Sequence, residues 1–299
     1  MKVAPAYLKP GDKIAIISPA SVIDPAYIDG AVAALRRAGY VPVEGAYCRG
    51  SFGTYTGTVE ERLSDLRWAL EGDFRAILCG RGGYGVAHLL EFIEPELVER
   101  DPKWLIGFSD ISALHGLMQR SGICSIHSSM AKHLALYPLD DEVNSRLLSI
   151  LTGGKPRYEV EPHPFNRIGT AQGIITGGNM AVLSGLIGTP FDILSRAEIL
   201  FVEDIAEPVY KVERMLYNLR LSGALGRLKG LIVGQFTDYP NPDRNGDSME
   251  DMISRMVEPY GFPVAYNFPI GHFDGNLPLI EGAVATLSVT PSSATLKFD

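Results

Sequence analysis

Two stretches of sequence decide the fold: RAILCGRGGYG at residues 75–85 and WLIGFSD at residues 104–110. In each, a short apolar run ends in a glycine-containing turn, and an amphipathic stretch follows. KIAIIS at residues 13–18 is an earlier apolar run of this kind, with a helical pattern over residues 28–38. Repeated strand–turn–helix steps predict a parallel sheet with helices on both faces. We therefore predict an α/β protein whose N-terminal part is a flavodoxin-like parallel sheet.

This alternating pattern stops at TGGKPRYEVEPHPFNR, residues 152–167, which is rich in Gly, Pro and polar residues. We interpret the segment as a linker between an N-terminal domain over residues 1–151 and a C-terminal domain over residues 168–299. Strand and helix patterns mix after the linker, and residues 283–298 alternate around a Pro-Ser-Ser turn like a closing hairpin. The second domain is thus predicted to be a mixed β/α domain. A chain of 299 residues is long enough for both cores.

Composition and charge exclude several classes of protein. The chain is 46% hydrophobic and 21% charged, which is typical of a globular protein and not of a disordered one. With 27 basic against 35 acidic residues, the net charge is −8, which argues against a nucleic-acid partner. No apolar run approaches the roughly 20 residues of a membrane span. The N-terminus has no apolar signal region, and three widely spaced cysteines are typical of reduced thiols, so we expect a cytoplasmic protein.

The sequence predicts neither a metal site nor a cofactor. The cysteines and histidines have no zinc spacing. Asp243, Asn245 and Asp247 imitate the start of a calcium loop, but Ser248 stands at the required glycine and Ser254 at the bidentate glutamate. We interpret this segment as a polar turn.

The GRGGYG turn at residues 80–85 formally matches the dinucleotide motif G-x-G-x-x-G. It follows a later strand and not the first one, and the acidic residue expected about 20 positions on is poorly placed, which disfavours a nucleotide site. Two other interpretations stay open. The turn can be a tight connection that needs glycine for positive φ, or its bare backbone can offer N–H groups to a developing anion.

Ser109 lies just after an apolar strand and just before a helix, where a nucleophile elbow would expose its hydroxyl. The N–H of Asp110 would then be an oxyanion donor. The elbow is imperfect, because Ile111 stands where G-x-S-x-G has glycine. The alternative is that Ser109 or Asp110 merely caps the helix.

A serine nucleophile needs a base and an orienting acid. Among the six histidines, His272 stands out because it ends the apolar run VAYNFPIGH and enters a turn. Among the acids, Glu203 follows the run ILFV, with Asp204 and Glu207 as rivals. A satisfied turn histidine and a solvated acidic strand end are the alternatives. The chain order Ser, Glu, His is one that known triads use.

Six blocks together resemble the LD-carboxypeptidases, or muramoyltetrapeptide carboxypeptidases, whose relatives include the microcin C self-immunity proteins. The blocks are YTGTVEERLSDLRWAL, CGRGGYG, IGFSDISAL, TGGNMAVLSGLIGTP, ILFVEDIAEPVYKVERML and PIGHFDGN. They follow one another in order, and the resemblance extends from about Leu8 to the end of the chain. It implies a serine peptidase in which Ser109 is the nucleophile, Glu203 the acid and His272 the base. The implied reaction releases the terminal D-alanine of a muramoyl-tetrapeptide through an acyl-enzyme, during peptidoglycan recycling.

The resemblance also implies an oxyanion hole and a substrate site. The hole would consist of the backbone N–H of Asp110 and one N–H from Gly82 or Gly83. The family's Gly-Gly-Asn block places Asn179 near the cleft. Because a muropeptide is anionic, Arg81 is a candidate for binding it, and the alternative is an ordinary surface arginine.

Two other functions remain open from the sequence. An immunity-type amidase would use the same triad on a peptidyl or aminoacyl adenylate, and would need an aromatic platform after the acid. A non-catalytic nucleotide- or sugar-binding module would use the GRGGYG turn alone. The expected partner is a small muropeptide, and the oligomeric state, including a homodimer, is left open.

Overall fold

The computed structural model describes residues 2–240 and 246–299. The first half of the chain contains β1 (Lys13–Ile17), α1 (Pro25–Arg37), β2 (Val41–Glu44), α2 (Val59–Glu71), β3 (Ala76–Cys79), a 3-10 helix (Val86–Phe92), α3 (Pro95–Arg100), β4 (Trp104–Gly107), a 3-10 turn (Ser109–Ile111), α4 (Ser112–Arg120), β5 (Ser125–His127), α5 (Ala131–Leu136) and α6 (Glu142–Leu151). The second half contains β6 (Arg157–Val160), β7 (Gly169–Asn179), α7 (Met180–Ser184), a 3-10 turn (Leu194–Arg196), β8 (Ile199–Ile205), α8 (Val209–Leu221), a 3-10 turn (Leu225–Arg227), β9 (Gly230–Thr237), α9 (Met249–Val257), β10 (Val264–Ala265), β11 (Leu279–Glu281), β12 (Val284–Val289) and β13 (Ala294–Phe298). Across the described ranges, no helix combines the length and apolar character that a membrane crossing requires.

The chain divides into two compact units. One comprises Met1–Gly154 with Leu277–Glu281, and the other comprises Lys155–Asn276 with Gly282–Asp299. In the first unit, a six-stranded sheet has the order β11-β5-β4-β3-β1-β2, and β1 to β5 are mutually parallel. This flavodoxin-like order confirms the predicted parallel sheet. Since the order reverses between β1 and β3, a crevice is expected outside the carboxyl ends of these strands.

Local sequence signals explain the helices that cover the first sheet. Asp24 caps α1 by accepting from the N–H of Ala26, and Pro25 occupies the first helical turn. Thr58 and Glu61 form a reciprocal capping box at the start of α2. The apolar residues of α1 and α2 lie on the buried side, while their charged residues are mostly exposed. The helices therefore begin where their caps are encoded.

The second unit has a seven-stranded sheet of order β10-β9-β8-β7-β12-β13-β6. Strands β7 to β10 pair in parallel, whereas β12, β13 and β6 continue the sheet in antiparallel fashion from β7. The antiparallel pairing of β12 with β13 confirms the predicted closing hairpin. Residues of α7, α8 and α9 pack with β8 and β9 in one apolar core. The predicted mixed β/α character is thus confirmed.

Two predicted boundaries differ from the structure. The segment taken as a linker, residues 152–167, contains β6, which pairs with β13 and buries Tyr158 in the second unit. Residues 277–281, predicted to belong to the C-terminal domain, belong to the first unit, where β11 pairs with β5 of the first sheet. Both strands are too short to show a periodic pattern, and only distant pairing defines them. Of the imitation calcium loop, Asp243 and Asn245 lie outside the described residues.

Close packing of α1 against α5 makes Gly30 a test of this fold. A Cβ at Gly30 would lie 2.4 Å from Cβ and 2.8 Å from Cα of Ala135. We expect Gly30→Ala to lower the free energy of unfolding by about 1–3 kcal/mol, because the helices must separate. Urea-induced unfolding measures the change.

Gly226→Ala is the matched control, since a Cβ there would meet only Cε1 of Tyr260, at 3.7 Å. It should change the free energy of unfolding by no more than about 0.5 kcal/mol. Equal stability of the Gly30→Ala variant and the wild type would contradict the described packing of α1 on α5.

Candidate active site

One residue, Phe108, separates Ser109 from the end of β4. Ser109 begins the 3-10 turn that leads into α4. Its φ is +64°, a left-handed conformation that costs a residue with a Cβ about 1–2 kcal/mol. Such strain persists only where the surroundings impose it, and it is frequent at functional sites. Ser109 is half-buried, while Asp110 and Ile111 after it are buried. The backbone thus has the sharp strand-to-helix turn expected of a nucleophile elbow.

The glycine-rich turn after β3 approaches Ser109 closely. A Cβ at Gly82 would lie 2.8 Å from Cβ and 3.0 Å from Oγ of Ser109, and 3.3 Å from the nitrogen of Asp110. Gly83, with φ +107°, is equally restricted, since its Cβ would lie 2.2 Å from Oγ of Ser21. Only bare backbone fits beside the serine, so the turn and the Asp110 N–H flank the same hydroxyl.

Two buried side chains of opposite charge, Arg62 and Asp110, bond to the end of this turn. Arg62 is 2% exposed and Asp110 is 4% exposed. Burial raises the pKa of Asp110 to about 6, against the opposing effects of the Val86 N–H and the Arg62 charge. Arg62 also stacks on Tyr55, with its guanidinium carbon 4.9 Å from the ring centre. A cation and a carboxylate therefore remain buried next to the predicted nucleophile.

In the second unit, Glu203 lies near the end of β8 and is fully buried. Its Oε2 is 2.7 Å from Nδ1 of His272, so a proton on Nδ1 is donated to the carboxylate. Oε1 of Glu203 is also buried and has no hydrogen-bond partner among the described residues. The His272 side chain is 15% exposed. With Nδ1 bonded to Glu203, proton transfer at His272 would take place at its other ring nitrogen, Nε2.

A sheet irregularity lets His272 reach Glu203. The register of β8 against β9 shifts between Val202, which pairs with Val233, and Asp204, which pairs with Phe236, so two residues of β9, Gly234 and Gln235, lie opposite Glu203. A Cβ at Gly234 would lie 2.5 Å from Cγ1 of Ile270, and one at Gly271 would lie 3.1 Å from Cβ of Glu203. Two missing side chains thus allow the segment before His272 to pack directly on the strand ends. Bulges of this kind frequently re-aim side chains near active sites.

Asp204 and Asn179 form a second buried pair beside Glu203. Asp204 accepts from Nδ2 of Asn179 at 2.9 Å and from the N–H of Ala181 at 2.8 Å. Burial, followed by the neighbouring Glu203 charge, raises the pKa of Asp204 to about 6. Asn179 also caps α7 by accepting from the N–H of Val182 at 3.1 Å. These contacts give Asn179 a role in the structure, and its binding of substrate stays a prediction.

The predicted site residues form two groups, one in each unit. Ser109, Asp110, Gly82 and Gly83 cluster in the first unit, and Glu203 and His272 pair in the second. Arg81 is exposed and donates to the carbonyl of Val22 at 2.9 Å. The rival acids differ from Glu203 in their contacts: Asp204 bonds to Asn179, and Glu207 pairs with Lys211 at 3.3 Å.

Two other side chains of the first unit that could in principle react, Cys79 and His115, are buried. Cys79 is fully buried, and burial raises its thiol pKa far above the ordinary value, as expected of an inert thiol. His115 is buried between the carbonyl of Gly107 and Oγ of Ser125, at 2.9 and 2.8 Å. Burial lowers the pKa of His115 to about 4. Both residues therefore belong to the core.

Sequence reasoning missed Arg62. A signal was available, because Arg62 is in helical phase with Leu66 and Ala69 on the apolar side of α2. A charged residue on such a stripe is seldom fully buried unless it has dedicated partners. The partners themselves come from distant loops, so only the folded chain identifies them.

The electrostatics of His272 give a direct test of its pairing. Burial lowers its pKa, but the hydrogen bond and charge of Glu203, helped by Asp204 and Asp238, outweigh burial and raise the pKa. The pairing therefore stabilises the fold below the ordinary histidine pKa of about 6.5, and this contribution is lost as the pH rises through the raised value. In Glu203→Gln, the pKa of His272 should fall below that of the wild type, as followed by NMR titration of the imidazole.

Glu207→Gln is the matched control, because Glu207 is a neighbouring carboxylate in contact with Lys211. It should leave the pKa of His272 unchanged. An unchanged pKa in Glu203→Gln would show that Glu203 does not govern the charge of His272.

Both the sequence and the fold of this chain are similar to those of known proteins. Family models describing the LD-carboxypeptidase N-terminal and C-terminal domains match residues 14–128 and 172–287. The murein tetrapeptide carboxypeptidase of Pseudomonas aeruginosa is 32% identical over 285 residues, covering 92% of this chain and 92% of that protein. The crystal structure of muramoyltetrapeptide carboxypeptidase from Oxalobacter formigenes has a TM-score of 0.86 at 26% identity, covering 96% of this chain and 98% of that one.

The microcin C7 self-immunity protein MccF shares the fold, with a TM-score of 0.86 at 21% identity, covering 99% of this chain and 98% of that one. Similarity at this level of identity extends to the fold alone. The two family models and the Pseudomonas relative show the family as well as the fold, because they match both halves of the sequence. The chain therefore belongs to the LD-carboxypeptidase family.

Proposed function

We propose that this protein is a serine LD-carboxypeptidase that releases the terminal D-alanine of a muramoyl-tetrapeptide. The observation that carries the proposal is the 2.7 Å contact between His272 and the buried Glu203. A histidine oriented by a buried carboxylate is the base that a serine nucleophile requires. The Pseudomonas relative, named a murein tetrapeptide carboxypeptidase, supports the substrate class.

In the proposed reaction, Oγ of Ser109 attacks the carbonyl carbon of the L-centred residue that precedes D-alanine. Nε2 of His272 takes the hydroxyl proton, while Glu203 holds the tautomer and stabilises the imidazolium. The carbonyl oxygen becomes an oxyanion that accepts from the N–H of Asp110 and from one N–H of Gly82 or Gly83. Each such donor contributes about 3 kcal/mol to transition-state stabilisation in comparable sites.

The tetrahedral intermediate then collapses and its C–N bond breaks. His272 returns the proton to the amine, and D-alanine leaves. Water, deprotonated by His272, attacks the ester carbonyl of the acyl-enzyme and restores the Ser109 hydroxyl. Arg81 is proposed to attract the anionic peptide, and Asn179 to line the substrate site. We place the activity in cytoplasmic recycling of cell-wall peptides, in keeping with the sparse cysteines of the sequence.

The amidase alternative shares this chemistry and differs in its substrate. An adenylate would need an aromatic platform after the acid. The segment between Glu203 and α8 is residues 204–208, DIAEP, which holds no aromatic residue. The local sequence therefore favours the peptide substrate, and comparing turnover of a peptidyl adenylate with that of a tetrapeptide separates the two.

Replacing the nucleophile tests the proposal directly. Ser109→Ala should reduce release of D-alanine from a muramoyl-tetrapeptide by at least about 10⁴-fold, because no acyl-enzyme can form. Free D-alanine is measured by chromatography. Ser145→Ala, at an exposed position of α6, should keep the wild-type rate.

The two failures have different meanings. A wild-type protein that releases no D-alanine would reject the substrate. Full turnover by Ser109→Ala would reject the nucleophile.

Gly82→Ala tests the role of the glycine-rich turn. Its Cβ would collide with Ser109, so the turn must move away from the position proposed for the oxyanion donor. We expect kcat/KM to fall by about 10²-fold or more, the usual loss for one oxyanion donor. Gly261→Ala is the control, because a Cβ there meets nothing within 4 Å. Wild-type kcat/KM in the Gly82→Ala variant would show that the turn takes no part in the reaction.

A further inference from the structure

One peptide group in the first unit is held at both ends by buried, oppositely charged side chains. The carbonyl oxygen of Gly85 accepts from Nη1 of Arg62 at 2.8 Å. The N–H of the next residue, Val86, donates to Oδ2 of Asp110 at 2.9 Å. These are the two polar atoms of the single Gly85–Val86 peptide bond, which ends the glycine-rich turn beside Ser109.

We propose that Arg62 and the carboxylate of Asp110 are positioning residues that clamp this peptide and thereby hold the Gly82–Gly83 backbone in place as an oxyanion donor. The inference rests on the proposed function for its catalytic consequence. The clamp itself is a property of the first unit alone.

The bonds of Arg62 reach three separate loops. Besides Gly85, Nη1 donates to the carbonyl of Pro19 at 2.9 Å, and Nε donates to the carbonyl of Gly57 at 3.1 Å. Pro19 follows β1, Gly57 precedes α2, and Gly85 follows β3. A planar guanidinium can serve several acceptors in fixed directions, whereas an ammonium group is a compact point charge. Arg62 therefore ties together the loops that surround the turn.

The two charges favour one orientation of the Gly85–Val86 peptide group. A carbonyl oxygen carries partial negative charge and faces the cation, while an amide hydrogen carries partial positive charge and faces the carboxylate. Hydrogen bonds to ionised groups are roughly twice as strong as neutral ones. The other groups described around Arg62 are the Tyr55 ring and Nδ1 of His88, 3.4 Å from Nη2. Rotation of the peptide would break both charged contacts at once.

The clamp is also linked to the nucleophile through the backbone. Asp110 directly follows Ser109, so one residue would supply an N–H to the oxyanion and a carboxylate to the turn. Gly85 has φ +118°, and a Cβ there would lie 2.9 Å from Nη1 of Arg62. The glycine thus allows both the turn and the close approach of the cation. Loss of either charge should loosen the turn without removing any group that reacts.

Hydrogen exchange of the wild type and of Arg62→Met, Asp110→Ala and the double variant tests the clamp. Amide exchange across residues 80–90, followed by mass spectrometry, should be at least about tenfold faster in each variant. Asp110→Ala removes the acceptor of the Val86 N–H, and Arg62→Met frees the carbonyl end of the same peptide. Arg67→Met is the matched control, since Arg67 is an exposed arginine of α2 that donates to a different carbonyl, that of Phe92. It should leave exchange in this segment unchanged. Unchanged exchange in the two single variants would overturn the clamp.

Kinetics on the tetrapeptide test whether the clamp positions an oxyanion donor. We expect kcat to fall by at least 30-fold in each single variant while KM stays within about threefold, because the lost interaction acts in the transition state. Arg62→Lys and Asp110→Asn, which keep a charge or an acceptor, should retain more activity than the larger changes. A rise in KM with unchanged kcat would instead indicate a role in binding and would overturn the positioning role.

The double variant shows whether the two residues act together. Once one end of the peptide is free, freeing the other should matter little, so the combined loss should be clearly smaller than the product of the single losses. Multiplied losses would mean that the residues act independently and would overturn the shared clamp. If the wild type releases no D-alanine, the proposed function fails, and the exchange experiment still decides the clamp.

Discussion

The close approach of the Gly82 backbone to Ser109 is the constraint on which the first unit depends. Parallel strands bring their carboxyl ends to one edge of a sheet, so the turns after β3 and β4 meet there. Ser109 adopts a left-handed backbone at that edge, and the neighbouring turn must be bare to fit against it. The strain of about 1–2 kcal/mol is tolerated because buried contacts on both sides impose it.

Burial of charge is the corresponding constraint in the second unit. Glu203 and Asp204 lie side by side at the end of β8, and both are buried. Burying an ion costs several kcal/mol unless hydrogen bonds and opposite charge compensate for it. Asn179 and the N–H of Ala181 supply hydrogen bonds to Asp204, and His272 supplies one to Glu203. Two adjacent carboxylates thus have different partners, and only one of them orients the imidazole.

The parallel sheet and the positions of the candidate site residues could be predicted from the sequence, because their signals are local. The apolar runs and glycine-containing turns predicted the parallel sheet. The ends of two apolar runs singled out Ser109 and Glu203, whose catalytic roles stay predictions. His272 could be singled out because it ends an apolar run. The predicted domain boundaries differ from the structure at two very short strands. β6 lies inside the predicted linker, and β11 pairs in the first sheet. Pairing with a distant strand defines such segments, and a local pattern does not carry that information.

The sequence by itself determined the alternation of strands and helices, the caps that begin α1 and α2, and the residue types of the site. These follow from side-chain periodicity and from backbone preferences that act over a few residues. Only the tertiary structure decided that Arg62 bonds to Gly85 of the glycine-rich turn, that His272 contacts Glu203 beside a register shift between β8 and β9, and that Asn179 bonds to Asp204. Each of these joins residues far apart in the chain, and their contacts depend on the packing that removes them from water.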